Sequence, residues 1–459
     1  MNEKIRVKEK LAYGLGDAAS SMFWKIFSMY LLFFYTDVFG ITAATAGTMF
    51  LVTKVWDAFF DPVVGLISDR VSTRWGKFRP FLVWMVLPFA IMGIFTFFRP
   101  DFSENGRLVY AYITYSVMMM VYSLINVPYA SLLGVISSDP KERTVLASYR
   151  MVFAFIGSLI ALWLIEPLVK IFGDGTLTSA MGWVYAMVVF GIIASILFLL
   201  CFAGTKERIT PVKENNSTLK NDLKDLFANK PWWILLGAGV ATLLFNTIRD
   251  GVAIYYFKYY LNKTDTDMIS FFGMQMSLTT AYLVLGQAAN IIGVVAATPV
   301  ANKIGKKKTF FFAMLFAAIF SILFYFLEKS SISEILVLQF IISICAGSIF
   351  PLLWSMYADT ADYSEWKQGR RATGLVFSAS SMSQKLGWAI GGWASGSLLA
   401  FFGFQANVLQ TTFAQTGIKL MLSLLPATAA IISMLFILFY PLHEKQMKII
   451  EQDLEQKRN

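Results

Sequence analysis

The chain is poor in the residues that soluble catalytic and metal chemistry uses. It has one histidine, His443, and two cysteines, Cys201 and Cys345, in 459 residues. That inventory excludes a disulfide framework and a thiolate metal site, and with them a histidine proton relay deep in an apolar segment. Charge is scarce as well, since Asp, Glu, Lys and Arg make up only 15% of the residues. No nucleophile, base and orienting group stand together, so the chain does not read as an enzyme. What is abundant is apolar: 57% hydrophobic residues and a mean hydropathy of +0.60. This is the balance of a polytopic membrane protein. The net charge of +10 therefore points to basic loops held on one side of a bilayer and not to nucleic acid.

A hydrocarbon core of about 30 Å takes about 20 apolar residues per helix. By that ruler the sequence holds about twelve spans, at 12–39, 45–69, 79–98, 108–135, 146–171, 180–203, 231–262, 270–301, 308–327, 333–359, 373–403 and 416–441. The basic stretch MNEKIRVKEK precedes an apolar run that is too long for a signal peptide and lacks an AxA site, so that run reads as the first span. Placing the first ten residues, the exits of even-numbered helices and the tail on one side gathers about 28 of the 39 Lys and Arg there. Both termini are accordingly expected in the cytoplasm.

The chain also repeats itself. ANKIGKKK, after the eighth span, is a degraded copy of the loop from Asp69 to Lys77 after the second, and SDPKERTVLASYR at 138–150 is echoed by ADYSEWKQGRRATG at 361–374. Parallel repeats of this kind imply two six-helix bundles around a central cavity. The expected domains are an N-terminal bundle at 1–203, a cytoplasmic linker at 204–230, a C-terminal bundle at 231–443 and a cytoplasmic tail at 444–459.

The charges inside the spans are the candidate functional groups. Asp57 and Asp61 are four residues apart, one turn above the other on a helix, with Lys54 on the same face. An ionised Asp at the bilayer centre costs about 2.5–3.5 kcal/mol, so this face turns to a cavity, a partner charge or an ion, and a packing pair of Lys54 with Asp57 is the plain alternative. Asp17 and Lys25 share a face of the first helix with Trp24 beside them; they either line the cavity or bond neighbouring helices. Arg249 and Asp250 are adjacent in the seventh span and point about 100° apart, so separate partners are expected. Asn126 offers both a donor and an acceptor, for a ligand hydroxyl or for a helix–helix hydrogen bond, and Tyr122 and Tyr129 offer aromatic faces near it. Trp354, Trp388 and Trp393 are further candidate platforms, set against ordinary packing or interface belts. At the cytoplasmic ends, Asp69, Arg70, Arg74, Lys77, Asp139 and Arg143 in the first half meet Asp359, Asp362, Glu365, Lys367, Arg370 and Arg371 in the second. These are expected to form a charge lock, or else a solvated surface network.

The loop Gly65, Asp69, Arg70, Arg74, Gly76, Lys77 reads GxxxDRxxxRxGK, which resembles the signature of the major facilitator transporters. With YGLGDAASSMFW, FFYTDVFG, WDAFFDP, RWGKFRP, NVPYASL and MYADTADYSEWKQGRRATGLVFSAS, the chain resembles the glycoside-pentoside-hexuronide:cation symporters from Leu11 to about Leu442. The resemblance implies an all-α membrane protein with the major facilitator fold, twelve transmembrane helices in two six-helix bundles. It implies sugar import with Na⁺, Li⁺ or H⁺ as the co-transported ion and no cofactor, in a bacterial inner membrane, with the lipid bilayer and a small sugar or glycoside as partners and no obligate protein partner. Asp57 and Asp61 match the family's coupling carboxylates, Ser123 the hydroxyl that completes the cation site, and Lys385 a lysine near it. Ser21 and Asn126 stand where the best-known member has two sugar-gripping carboxylates, and Arg150 matches its binding arginine. Phe60 stands where that member has a polar amide, so the choice between Na⁺ and H⁺ stays open. A lysolipid or amphiphile carrier of the same superfamily, and a non-transporting membrane sugar sensor, are the alternative readings.

Overall fold

The computed structural model describes residues 5–137, 140–208, 227–263, 268–271, 274–368 and 373–458. The first half forms helices α1 (Val7–Phe33), α2 (Ala43–Arg70), α3 in two pieces (Arg79–Trp84 and Val86–Thr96), α4 (Glu104–Ile136), α5 (Pro140–Phe172) and α6 (Ala180–Gly204). The second half forms α7 (Lys230–Tyr255), α8 (Leu278–Ile304), α9 (Lys306–Tyr325), α10 (Ile332–Gln368), α11 (Thr373–Phe401) and α12 in two pieces (Thr412–Leu422 and Leu424–Leu438). A last helix, α13 (Glu444–Arg458), follows. Among the described residues nine helices are each long and apolar enough to cross a bilayer. The other three rods are α2, which carries Lys54, Asp57, Asp61, Asp69 and Arg70, the broken α3, and α11 with its polar run SASSMSQK. The expected all-α, twelve-helix architecture is what forms.

Proline chemistry accounts for the two interruptions. Pro88 has no N–H to offer the carbonyl of Trp84, and α3 breaks at Met85. Pro426 leaves the carbonyl of Leu422 without its helical donor, and α12 breaks at Ser423. The freed Leu422 oxygen accepts from the Arg249 guanidinium, whose Nη2 donates to Gln339 Oε1 at 2.7 Å. A buried cation of α7 thus serves the broken helix. Gly40, at φ +88°, closes a π-helical turn, Phe34–Phe39, that ends α1. A second π turn, Tyr256–Tyr260, ends α7 and is followed by Asn262 at φ +53°. The same unusual ending occurs at the same place in each half.

The chain forms two compact units: Met1–Lys213 with Lys263–Val284 and Phe404–Leu409, and Glu214–Asn262 with Leu285–Gly403 and Gln410–Asn459. In the first, α1 packs on α5 and α6, and α3 on α4 and α6; in the second, α7 packs on α11 and α12, and α9 on α10 and α12. The packing repeats as the sequence does. Outer faces stay apolar: Leu87, Ile91 and Phe95 on α3, and Ile192, Ile196 and Leu200 on α6, are exposed at four-residue spacing, the stripe that lipid solvates.

One span differs from expectation. Where a helix is expected from 270, strands β1 (Met268–Phe271) and β2 (Met274–Ser277) form an antiparallel hairpin. Helix α8 starts only at Leu278, because Ser277 Oγ accepts the Thr280 N–H at 3.1 Å and caps the helix there. The tail is helical and docked. Met447, Ile450 and Leu454 are buried along one face of α13, and Trp366 Nε1 donates to Asp453 Oδ2 at 2.8 Å.

Candidate functional site

The site in the first unit grows from α2 and α4, each interrupted by a proline, Pro62 and Pro128. On α2, the spacing of Lys54, Asp57 and Asp61 puts all three on one face, while Trp56, Phe59 and Val63 are exposed on another. Asp57 is 2% exposed and Lys54 7%. Ser123 of α4 sits against both acids, its Oγ 2.7 Å from Asp57 Oδ1 and 2.6 Å from Asp61 Oδ1. Ser123 has one hydroxyl hydrogen and two carboxylate neighbours. One of the two short contacts is therefore favoured by positive charge nearby, be it the Lys54 ammonium on the same face, a proton on a carboxyl group or a small cation with oxygen ligands.

Lys54 links this group to an aromatic wall. Its Nζ lies 4.0 Å from the centroid of Trp24 on α1 and 3.1 Å from Met119 Sδ on α4. Trp24 in turn lies 5.7 Å, ring to ring, from Tyr122, the neighbour of Ser123. One turn further on α4, Asn126 donates through Nδ2 to the Tyr122 carbonyl at 3.0 Å. Its Oδ1 has no hydrogen-bond partner among the described residues. Ser21 is half-buried one turn before Lys25 on α1. Arg150 of α5 donates through Nε to Asp17 Oδ2 at 2.8 Å, and its guanidinium lies 5.0 Å from the Tyr129 ring. Of the two readings of Asp17, bonding a neighbouring helix is the one observed. Tyr129 is 0% exposed, its hydroxyl donating to the Tyr13 carbonyl at 2.6 Å, so it supports Arg150 and presents no open face.

The remaining expected residues lie elsewhere. Lys385 on α11 and Trp354 on α10 belong to the second unit, both half-buried, with Trp354 6.2 Å from the Tyr357 ring. Of the cytoplasmic charges, Asp139, Arg370 and Arg371 lie outside the described residues, as do the side chains of Asp69 and Arg143. Arg70 is exposed at the end of α2 and Asp362 half-buried on α10. Arg74 lies over Trp75 and Lys77 over Phe78, at 5.2 and 5.4 Å. Asp359 takes Lys306 Nζ on both oxygens at 2.8 Å.

Several charged residues with structural tasks escape sequence reading. Glu207 accepts the backbone N–H groups of Lys77, Phe78 and Arg79, each at 2.8 Å, and so caps α3 from the end of α6. Glu9 holds Arg208 through both oxygens at 2.7 and 2.8 Å. Lys10 pairs with Glu142 at 2.7 Å. Glu166, buried on α5, is taken up below.

Comparison with known proteins identifies the family. Residues 12–444 match the family described as MFS/sugar transport protein. The chain is 36% identical to the isoprimeverose transporter of Lactiplantibacillus pentosus, over 98% of this chain and 91% of that protein. It is 34% identical to the inner membrane symporter YicJ of Escherichia coli (strain K12), over 99% and 96%. Among solved structures, a bacterial homologue of the human lysosomal transporter Spinster superposes with a TM-score of 0.70 at 13% identity, covering 96% of this chain and 97% of that one. That likeness speaks for the fold alone.

Proposed function

The chain belongs to the MFS/sugar transport protein family, and from that premise we propose that it is a symporter importing a glycoside, pentoside or hexuronide with a cation by alternating access. The observation that carries the coupling is the shared hydroxyl. Ser123 brings Asp57 and Asp61 to one point, where a bound Na⁺, Li⁺ or H⁺ supplies the positive charge that two facing carboxylates require. Lys54, Trp24, Tyr122 and Asn126 stand next to that point. Sugar held by the aromatic pair and the amide therefore feels the charge state of the acids, and by linkage each ligand raises the affinity for the other. Arg150, fixed by Asp17, and Ser21 complete the sugar side in this reading. The bilayer is a bacterial inner membrane and both termini face the cytoplasm. The carrier reading fits this polar, tryptophan-lined group better than a lysolipid reading, which calls for an apolar surface.

The test is uptake into proteoliposomes of a panel of labelled xylosides, galactosides and glucuronides, driven by a Na⁺ gradient at fixed pH or by a pH gradient without Na⁺. Accumulation is expected in the parent under one of the two drives, and no accumulation in Asp57→Asn and Asp61→Asn, with downhill sugar entry retained. Uphill uptake surviving in both variants refutes the assignment.

A further inference from the structure

Glu166 is a buried carboxylate that the cycle described above does not use. Glu166 on α5 is 1% exposed. It stands roughly 24 Å along the helix from Arg150, at 1.5 Å per residue, and so near the opposite end of the first unit from that sugar-side residue. Two hydroxyls from different segments hold it. Tyr30 of α1 donates to Oε1 at 3.0 Å, and Ser277, the last residue of β2, donates to Oε2. Ser277 Oγ is also the cap of α8, taking the Thr280 N–H at 3.1 Å, and it lies 3.1 Å from Thr280 Oγ1. Tyr30, Ser277 and Thr280 are all buried.

One oxygen atom therefore does two jobs. It satisfies a buried acid on α5 and it starts α8. The segment that contains it, Lys263–Val284, comes from the second half of the sequence yet packs in the first unit, whereas α8 beyond Val284 belongs to the second. Ser277 thus holds the start of α8 within the first unit. Such an anchor is costly to leave half-made, because a buried carboxylate that loses a donor and a helix start that loses its cap are both destabilised.

We propose that Glu166 is a positioning residue of the transport cycle: by holding Ser277 it fixes the start of α8 against α1 and α5, and making and breaking that contact sets the rate of turnover. The proposal rests on the carrier reading above, since it assigns a step in that cycle. Neither Tyr30 nor Ser277, which hold it, belongs to the sugar group or to the acid pair, so affinity and rate should separate.

Two measurements on the purified full-length protein test it. In hydrogen–deuterium exchange, the peptide covering 274–284 is expected to exchange at least about tenfold faster in Glu166→Ala and in Ser277→Ala than in the parent. The double variant should be no faster than either alone, because both remove the same contact. In proteoliposomes, turnover should change at least about threefold in both variants while the sugar concentration for half-maximal uptake stays within about twofold. Ser277→Thr, which keeps the hydroxyl, should restore both readings towards the parent. Exchange unchanged in Ser277→Ala overturns the proposal, and Ser277→Ala alone decides it if Glu166→Ala does not reach the membrane folded. Faster exchange with unchanged turnover overturns it too, leaving a structural bond. The exchange measurement needs no sugar, so failure of the carrier reading and failure of the anchor are read separately.

Discussion

Replacing Ser123 with alanine removes an atom that touches both acids, at 2.7 Å from Asp57 and 2.6 Å from Asp61. A hydrogen bond to a charged group contributes about 1.5–3 kcal/mol. At about 1.4 kcal/mol per factor of ten, cation affinity should fall about 10- to 150-fold. Both carboxylates remain, so coupling itself should survive: uptake at saturating cation stays near the parent rate, and the loss appears in the cation concentration for half-maximal uptake. Linkage adds a second expectation. Sugar affinity measured at low cation should fall as well, and should recover as cation is raised. The assay is initial uptake into proteoliposomes, titrating Na⁺ at fixed pH and then pH at fixed Na⁺. Only the titration of the coupling ion should shift, so one variant also reports which ion that is. Ser123→Thr keeps the hydroxyl and serves as the control. A half-maximal concentration within about twofold of the parent in both titrations refutes the reasoning, because a group bridging the cation's ligands cannot be removed without cost.

Two further outcomes follow from named contacts. Arg150→Ala deprives Asp17 of a charged partner at 2.8 Å and should lower thermal stability by about 1.5–3 kcal/mol as well as weaken sugar binding. Adding Asp17→Ala should restore the melting temperature without restoring sugar affinity, and restoration of both would remove Arg150 from the sugar group. Glu207→Ala frees the amides of Lys77, Phe78 and Arg79 together, a loss of about 1–3 kcal/mol that should appear as faster amide exchange at the start of α3. Unchanged protection there would mean that water serves the helix start as well as the carboxylate does.

Much of the fold was legible because lipid imposes its own ruler. Apolar runs of about 20 residues must be helices when no water can serve the backbone, and α4, α6 and α9 lie within a few residues of the spans read from hydropathy. Hydropathy is blind to the breaks at Met85 and Ser423, although Pro88 and Pro426 announce them. It also misreads MISFFGMQMS as helix, since an apolar stretch of that length carries no periodicity that separates strand from helix. In the site, Asp57 and Asp61 stand out by charge alone. Ser123 does not, because a serine in an apolar helix commonly bonds its own backbone, and only the family resemblance pointed to it. Glu166 carries the same signal as Asp57, an acid within an apolar run. With Lys170 four residues on, it reads as a simple pair on a helix face, and its partner Ser277 lies far away in sequence.

The repeat explains why the proposed coupling group has one copy and not two. Aligning Asp69-Arg70 with Asn302-Lys303 sets Asp57 opposite Asn290 and Asp61 opposite Val294; aligning Pro128 with Pro351 sets Ser123 opposite Ala346. Each member of the charged triad has thus been replaced in the second half by a residue without its charge or its hydroxyl. The backbone differs with it. A Cβ at Gly293 would meet the carbonyl of Ile344, and one at Gly347 would meet the backbone of Asn290, so α8 and α10 approach until main chains touch. Their counterparts are Phe60 and Leu124, which carry large side chains where the second half has none. Two helices in backbone contact leave no room for side-chain oxygens around an ion, whereas α2 and α4 bring three such side chains, Asp57, Asp61 and Ser123, to one place. The same helix pair can therefore serve as a rigid strut in one half and as the ion-bearing pair in the other.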